Sequence, residues 1–210
     1  MHTKENENSE GGKRGEAETR QRILAAASQL MAQKGFKGAT TRKISELAGV
    51  NEVTIFRHFT NKQGLAVALL NEALDIREPL EKSLQGDFSQ IREMLIHYAR
   101  TYYNLLVDRK ELTMICVIEA DNYPEVGELF SKVPLSAIQL LGEKLQHFQD
   151  EGHLPPWVDC WSAAAMFLSV CFQAFMAKYR LHVTLPSTEE HLFEQTTDIL
   201  LYGLLSAKEK

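Results

Sequence analysis

Apolar residues recur three and four positions apart along nearly the whole chain, the period of helices that bury one face. From Ala17 onward, Ile23, Leu24, Ala27, Leu30 and Met31 set this rhythm, and Gly35 stops it as a helix-terminating glycine. Two short helices are predicted next, over 40–48 with Ile44 and Leu47 apolar, and over 51–59, with Gly49 breaking the chain between them. Asn61 caps a longer helix from Lys62, with Leu65, Leu69, Leu70 and Leu74 on its apolar face, and Pro79 kinks or ends it. Ile91, Met94, Leu95, Tyr98, Tyr102 and Leu105 mark a fifth helix. The apolar run 112–119 has no evident partner strand and reads as another. Pro124 opens a segment carrying Leu129, Phe130, Ile138, Leu141, Leu145 and Phe148, bent at Pro134 and ended by Gly152. A very apolar helix follows over about 158–179. Ser187 and Glu190 read as a capping box ahead of Leu192, Phe193, Leu200 and Leu204. No stretch sustains a period of two between hairpin turns. The expected fold class is all-α, with about nine helices.

Residues 1–16 hold no apolar side chain after Met1, so residues 1–17 are expected to form a disordered tail. The rest has an ordinary globular balance, with 44% hydrophobic and 24% charged residues over 210 positions. Cys116, Cys160 and Cys171 contain no CxxC pair and leave one over after any pairing, which points to a reducing compartment and buried, inert thiols. The N-terminus is too polar for a signal peptide, and the run 163–177 is too short and mixed for a membrane span. A cytoplasmic protein with no membrane partner is expected.

Charge changes this picture. The net charge of −5 argues against a nucleic-acid partner. Yet residues 1–65 hold 11 basic and 7 acidic side chains, a balance of +4, against −9 for the remainder. A basic end on an acidic body suits a chain with two tasks.

The informative segment is 40–65, TTRKISELAGVNEVTIFRHFTNKQGL. Gly49 permits the positive φ that lets a second short helix cross the first steeply. Ile44, Leu47, Val50, Ile55 and Phe59 would then pack behind. Thr40, Arg42, Lys43, Asn51, Glu52, Val53, Thr54, Arg57 and His58 remain on the other side. In a DNA-binding helix-turn-helix, such a second helix enters the major groove and its N-terminal residues meet base edges. Thr40 as N-cap offers a hydroxyl and nearby amides to a phosphate, and Lys62 adds charge at another.

On these residues the chain resembles the TetR family of bacterial transcriptional regulators. The family signature, I-A-x-x-A-G-V-S-x-x-T-L-Y-x-H-F-x-x-K-x-x-L, aligns without gaps to ISELAGVNEVTIFRHFTNKQGL at 44–65. Phe56 replaces the usual tyrosine, so a phosphate-binding hydroxyl is missing, although the ring can still pack on the sugar-phosphate chain. Val53 stands where a small residue is common and can meet a thymine methyl. Glu52 can accept from a cytosine amino group.

The resemblance implies a helix-turn-helix domain over 18–65 and a helical ligand-binding and dimerisation domain over 66–210. It implies an internal, mostly apolar cavity, with His97, Tyr98, Tyr102, Asn122 and Gln173 as polar candidates among Trp161, Phe172 and Met176. The helix over about 158–179 is apolar nearly all round, which favours burial against a second copy. Ala163, Ala164, Phe167 and Val170, with Leu200, Gly203 and Leu204 of the last helix, are the expected isologous interface. The function implied is a homodimeric repressor, released from a palindromic operator when a small effector shifts the helix starting at Lys62. The seven histidines show no metal-binding spacing, and no nucleophile, P-loop or dinucleotide motif occurs, so neither metal, cofactor nor catalytic residue is expected. Two alternatives stay open: a helical enzyme with an incidental basic end, and a DNA-binding scaffold without an effector.

Overall fold

The computed structural model describes the backbone of residues 4–73, 75–85 and 90–205, and the side chains of residues 14–72, 75–85 and 90–203. The order of elements is α1 (Lys4–Gly38), α2 (Thr41–Ala48), α3 (Glu52–Phe59), α4 (Lys62–Ala73), α5 (Arg77–Ser83), α6 (Ile91–Asp108), α7 (Lys110–Glu119), α8 (Pro124–Asp150), α9 (Cys160–Tyr179) and α10 (Glu189–Leu205). No strand occurs among the described residues, as the periodicity predicts.

The chain forms two compact units. Met1–Ala73 and Glu111–Leu129 make the first; Leu74–Lys110 and Phe130–Lys210 make the second. The expected boundary after Leu65 therefore moves past α4, which packs on α1 and α3 within the first unit. Leu65, Ala66, Leu69 and Leu70 bury that face of α4.

In the first unit α1 packs on α2 and α4, and α2 on α3. Ile23, Ala27, Met31, Ile44, Ile55, Phe59 and Leu65 are buried in it. Gly35 interrupts the helical backbone of α1 at φ +67°, where the sequence places the break. Residues 4–17, expected as a tail, instead continue α1 toward the N-terminus; residues 1–3 lie outside the described ones. This stretch needs no buried face to be helical, because pairs such as Arg14–Glu18, four apart, support a solvated helix. Leu47 also departs from expectation: it is exposed, and Ser45 and Ala48 fill the core side of α2.

In the second unit α6, α9 and α10 pack pairwise, and α5 rests on α6. Its core includes Leu80, Met94, Leu95, Tyr98, Ala164, Phe167 and Phe175. Pro79 does not end α4. It sits in the first turn of α5, where its missing N–H costs no helical bond. The capping box at Ser187 is displaced by one residue: Thr188 Oγ1 accepts from the His191 amide at 3.3 Å. Glu190 is drawn away to Arg100, whose Nε lies 2.8 Å from its carboxylate. Asp159 caps α9 by accepting from the amides of Trp161 and Ser162, both at 3.0 Å. At twenty residues α9 is long and apolar enough by composition to cross a membrane, beyond what the run 163–177 suggests, and nine of its side chains are buried inside the second unit.

Candidate nucleic-acid interface and ligand cavity

The turn between α2 and α3 is fixed at both ends. Thr40 Oγ1 accepts from the Lys43 amide at 3.3 Å. Gly49 adopts φ +65°, ψ +40°, and its N–H turns back to the last carbonyls of α2. A side chain there would strain the left-handed backbone. Asn51 Oδ1 then accepts from the Val53 amide at 2.9 Å and starts α3. These bonds satisfy donors that a helix start leaves without partners.

The result is an outward face. Thr40, Arg42, Lys43, Asn51, Val53, Phe56 and Arg57 are exposed, and Thr54 is half-buried. Val53 is 72% and Phe56 44% exposed, a large apolar presentation for solvated helix positions. Arg42 pairs with Glu46 at 3.2 Å, but both side chains are well exposed, so the pair is weak and the guanidinium is open to exchange.

Three expected contact residues are committed elsewhere. Glu52 accepts from the Thr41 hydroxyl at 2.5 Å, a bond that ties the start of α3 to α2. Its carboxylate is a brace for the turn in this arrangement rather than a free acceptor. His58 turns its Nε2 into the protein, where it is buried with no hydrogen-bond partner among the described residues, so that nitrogen does not reach the outward face. Lys62 Nζ donates to the Phe36 carbonyl at 2.5 Å and lies 4.5 Å from the Phe36 ring centroid. Burial lowers its pKa, opposed by the nearby Glu119 carboxylate. The Phe36 ring in turn meets Tyr123 at 4.5 Å between centroids. Lys62 is thus a clamp on the end of α1. Spacing along α3 and α4 carries no sign of this, because its partner lies 26 residues upstream.

In the second unit, α6, α8 and α9 line an open-sided cavity of about 440 Å³. Of the residues expected there, Tyr102, Phe172, Gln173 and Met176 line it. Four others do not. His97 is exposed on α6. Tyr98 is fully buried and donates to the Ala137 carbonyl at 2.8 Å, and burial raises its pKa. Trp161 is exposed, with its indole against Gly142, where a Cβ would come within 2.9 Å of the ring. Asn122 belongs to the first unit, exposed beside Glu119. Helix periodicity finds aromatic residues but does not say which side of a helix meets a void. Most of the wall was missed: Leu106 of α6, Phe130, Val133, Pro134 and Ile138 of α8, and Ala165, Leu168 and Ser169 of α9. Pro134 carried the one available signal, since a proline inside a helix removes the donor for the Phe130 carbonyl.

A second apolar surface lies on the other side of α9. Ala163, Phe167, Val170, Leu200 and Gly203 line a groove between α9 and α10, bordered by exposed Trp157, Met166 and Ile199. Ala164 is fully buried in the core instead. The side chain of Leu204 lies outside the described residues. All three cysteines are buried, and burial pushes the thiols of Cys116 and Cys171 up to about 12, which makes them inert.

A paired-helix unit with a capped recognition helix, joined to a helical body with a cavity, defines a DNA-binding transcriptional regulator. The comparisons assign the family. The pattern described as "Bacterial regulatory proteins, tetR family" matches residues 23–69, and "AefR-like transcriptional repressor, C-terminal domain" matches 93–200. The uncharacterised helix-turn-helix-type regulator YvkB of Bacillus subtilis is 32% identical over 189 residues, covering 89% of this chain and 97% of YvkB. The regulator RutR of Escherichia coli is 29% identical over 123 residues, covering 59% of this chain and 51% of RutR. A TetR-family regulator structure from Mesorhizobium loti superposes with a TM-score of 0.75 at 18% identity, over 90% of this chain and 97% of that one. The chain belongs to the TetR family of bacterial regulators. This membership points to a regulator rather than an enzyme.

Proposed function

We propose that the protein is a homodimeric cytoplasmic repressor that leaves a palindromic operator when a small, mostly apolar molecule enters the second unit. The observation that carries this reading is one chain holding both an outward face of capped, exposed residues and a cavity lined mostly by apolar side chains. Thr40, Arg42, Lys43, Asn51, Val53, Thr54, Phe56 and Arg57 are the DNA-contacting set. Thr40 and Lys43 position the protein on phosphates, whereas Val53, Thr54 and Arg57 face base edges. The groove between α9 and α10 is the dimer interface, since Met166 and Ile199 are 68% and 71% exposed beside an apolar channel. A two-fold axis there would present two recognition helices at half-sites roughly 34–36 Å apart, or a multiple of that.

A scaffold without an effector would lack a cavity in the ligand range, and a space of about 440 Å³ lies within it. The test is selection of binding fragments from genomic duplex DNA at two salt concentrations. A palindrome is expected to be enriched, with affinity falling steeply as salt rises. No enrichment by a folded, ligand-free dimer overturns the reading. Ile199→Glu is expected to give a folded monomer by light scattering and to weaken operator binding by about a hundredfold or more, because the second half-site loses its tether. A dimer that survives that charge overturns the assigned interface.

A further inference from the structure

Three tyrosines of α6 are largely buried, and their hydroxyls have different fates. Tyr98 donates to the Ala137 carbonyl at 2.8 Å, and Tyr103 donates to Glu189 at 3.1 Å. Tyr102 is 1% exposed and lines the cavity, yet its hydroxyl has no hydrogen-bond partner among the described residues. That hydroxyl is open to the cavity rather than sealed in the core, so a bound ligand can take its hydrogen bond in place of water. The other polar groups of the wall are not comparable. Ser169 donates to the Ala165 carbonyl at 2.6 Å, and Gln173 is exposed. Among the described residues, no Asp, Glu, Lys, Arg or His lines the cavity.

These observations fix the chemistry of an occupant. A carboxylate or ammonium resting on this wall would lose part of its water and find no opposite charge, which disfavours it against a neutral ligand. The rings of Phe130 and Phe172, 6.4 Å apart between centroids, offer stacking and edge contacts to an aromatic system. Burial raises the Tyr102 pKa, so the phenol remains protonated and acts as a donor. Resting on the effector reading above, we infer that the cavity selects an uncharged aromatic molecule carrying one hydrogen-bond-accepting oxygen, and that the Tyr102 hydroxyl is the donor that reads this oxygen.

Three probes of one shape separate the terms: 2-acetylnaphthalene (neutral acceptor), 2-ethylnaphthalene (no acceptor) and 2-naphthoate (charged). Their binding to the full-length protein is measured by calorimetry, without DNA. The ketone is expected to bind about five- to tenfold tighter than the hydrocarbon, the worth of one buried hydrogen bond, and the carboxylate weakest. Tyr102→Phe keeps the ring and is expected to erase the ketone's advantage while leaving hydrocarbon binding unchanged. Ala165→Phe, which fills the space from α9, is expected to abolish binding of both neutral probes. Equal binding of ketone and hydrocarbon by the wild type, or an advantage that survives Tyr102→Phe, overturns the role of Tyr102 and leaves the cavity standing. Binding of the carboxylate as tight as the ketone overturns the selection for neutral ligands. Failure of both neutral probes to bind, or binding unaffected by Ala165→Phe, overturns the cavity reading itself.

Discussion

The α2–α3 pair and the α6–α8–α9 cavity place their chemistry on opposite sides of their own helices. In the first unit, apolar residues turn inward and the proposed DNA-contacting set faces water: Ile44 and Ile55 are fully buried, while Lys43, Val53 and Arg57 are exposed. In the second unit the proposed ligand-contacting set faces inward, and Tyr102, Leu168 and Phe172 belong to the wall of a void. An outward site depends on helix caps and a turn, which are local. An inward site depends on which helices meet, which is not.

The comparison breaks most severely at the base of the outward site. Ile44→Ala is expected to cost about 2–5 kcal/mol, the usual range for emptying a core position, and to abolish operator binding with it. Thermal unfolding checks the first claim and a DNA-binding titration the second. Ligand binding measured on whatever fraction stays folded is expected to persist, because Ile44 belongs to the other unit.

A pair of cation variants sharpens the outward site. Arg57→Ala is expected to weaken operator binding by about 1–3 kcal/mol, as for loss of a base-reading arginine, with little change in melting temperature. Lys62→Met is expected to do the reverse: it removes the clamp on Phe36 and lowers stability by about 1 kcal/mol, while the dependence of DNA affinity on salt stays as it was. A reduced salt slope in Lys62→Met would return that residue to the phosphate-binding set.

How far each region was legible follows from the same contrast. Residues 40–65 declared their fold because the Thr40 cap, Gly49, the Asn51 cap and the apolar spacing are all local signals. What those signals did not show there, the bonds of Glu52 and Lys62 within the protein, depended on Thr41 across the turn and on Phe36 in another helix. In the second unit the helices were legible but the cavity wall was not. It joins α6 to α9 across some seventy residues of chain, and no pattern within one helix encodes that. Tyr98 and Tyr102, four apart on one helix, are alike in sequence and opposite in role.

The two tyrosines give a finer break. Tyr98→Phe is expected to cost about 1 kcal/mol, the net worth of a buried hydrogen bond, because its hydroxyl holds the Ala137 carbonyl. Tyr102→Phe is expected to leave stability nearly unchanged, since its hydroxyl has no hydrogen-bond partner among the described residues and is open to the cavity. Chemical denaturation of both variants, read in parallel, checks the difference.

The smallest effect is acid sensitivity of the second unit. Lys178 and Arg100 hold the carboxyls of Glu189 and Glu190 below their ordinary range. Groups depressed on folding contribute stability above their unfolded pKa and lose it as pH falls through the folded value. A modest decline in melting temperature is therefore expected below about pH 4.5. It should shrink in high salt, because these pairs are largely exposed.

The first unit is discontinuous in the chain, and this bears on how the protein can be taken apart. Glu111–Leu129 returns to complete it, bringing buried Cys116 and the Tyr123 ring that covers Phe36. Residues 1–73 alone are thus an unfinished module. Joined to a foreign ligand-binding body, they would carry Phe36 with one side stripped, and Lys62 would be clamped to a ring that had lost its backing. A chimeric sensor built from this regulator needs its donor segment 111–129 transplanted along with the DNA reader, as two pieces of one exchangeable part.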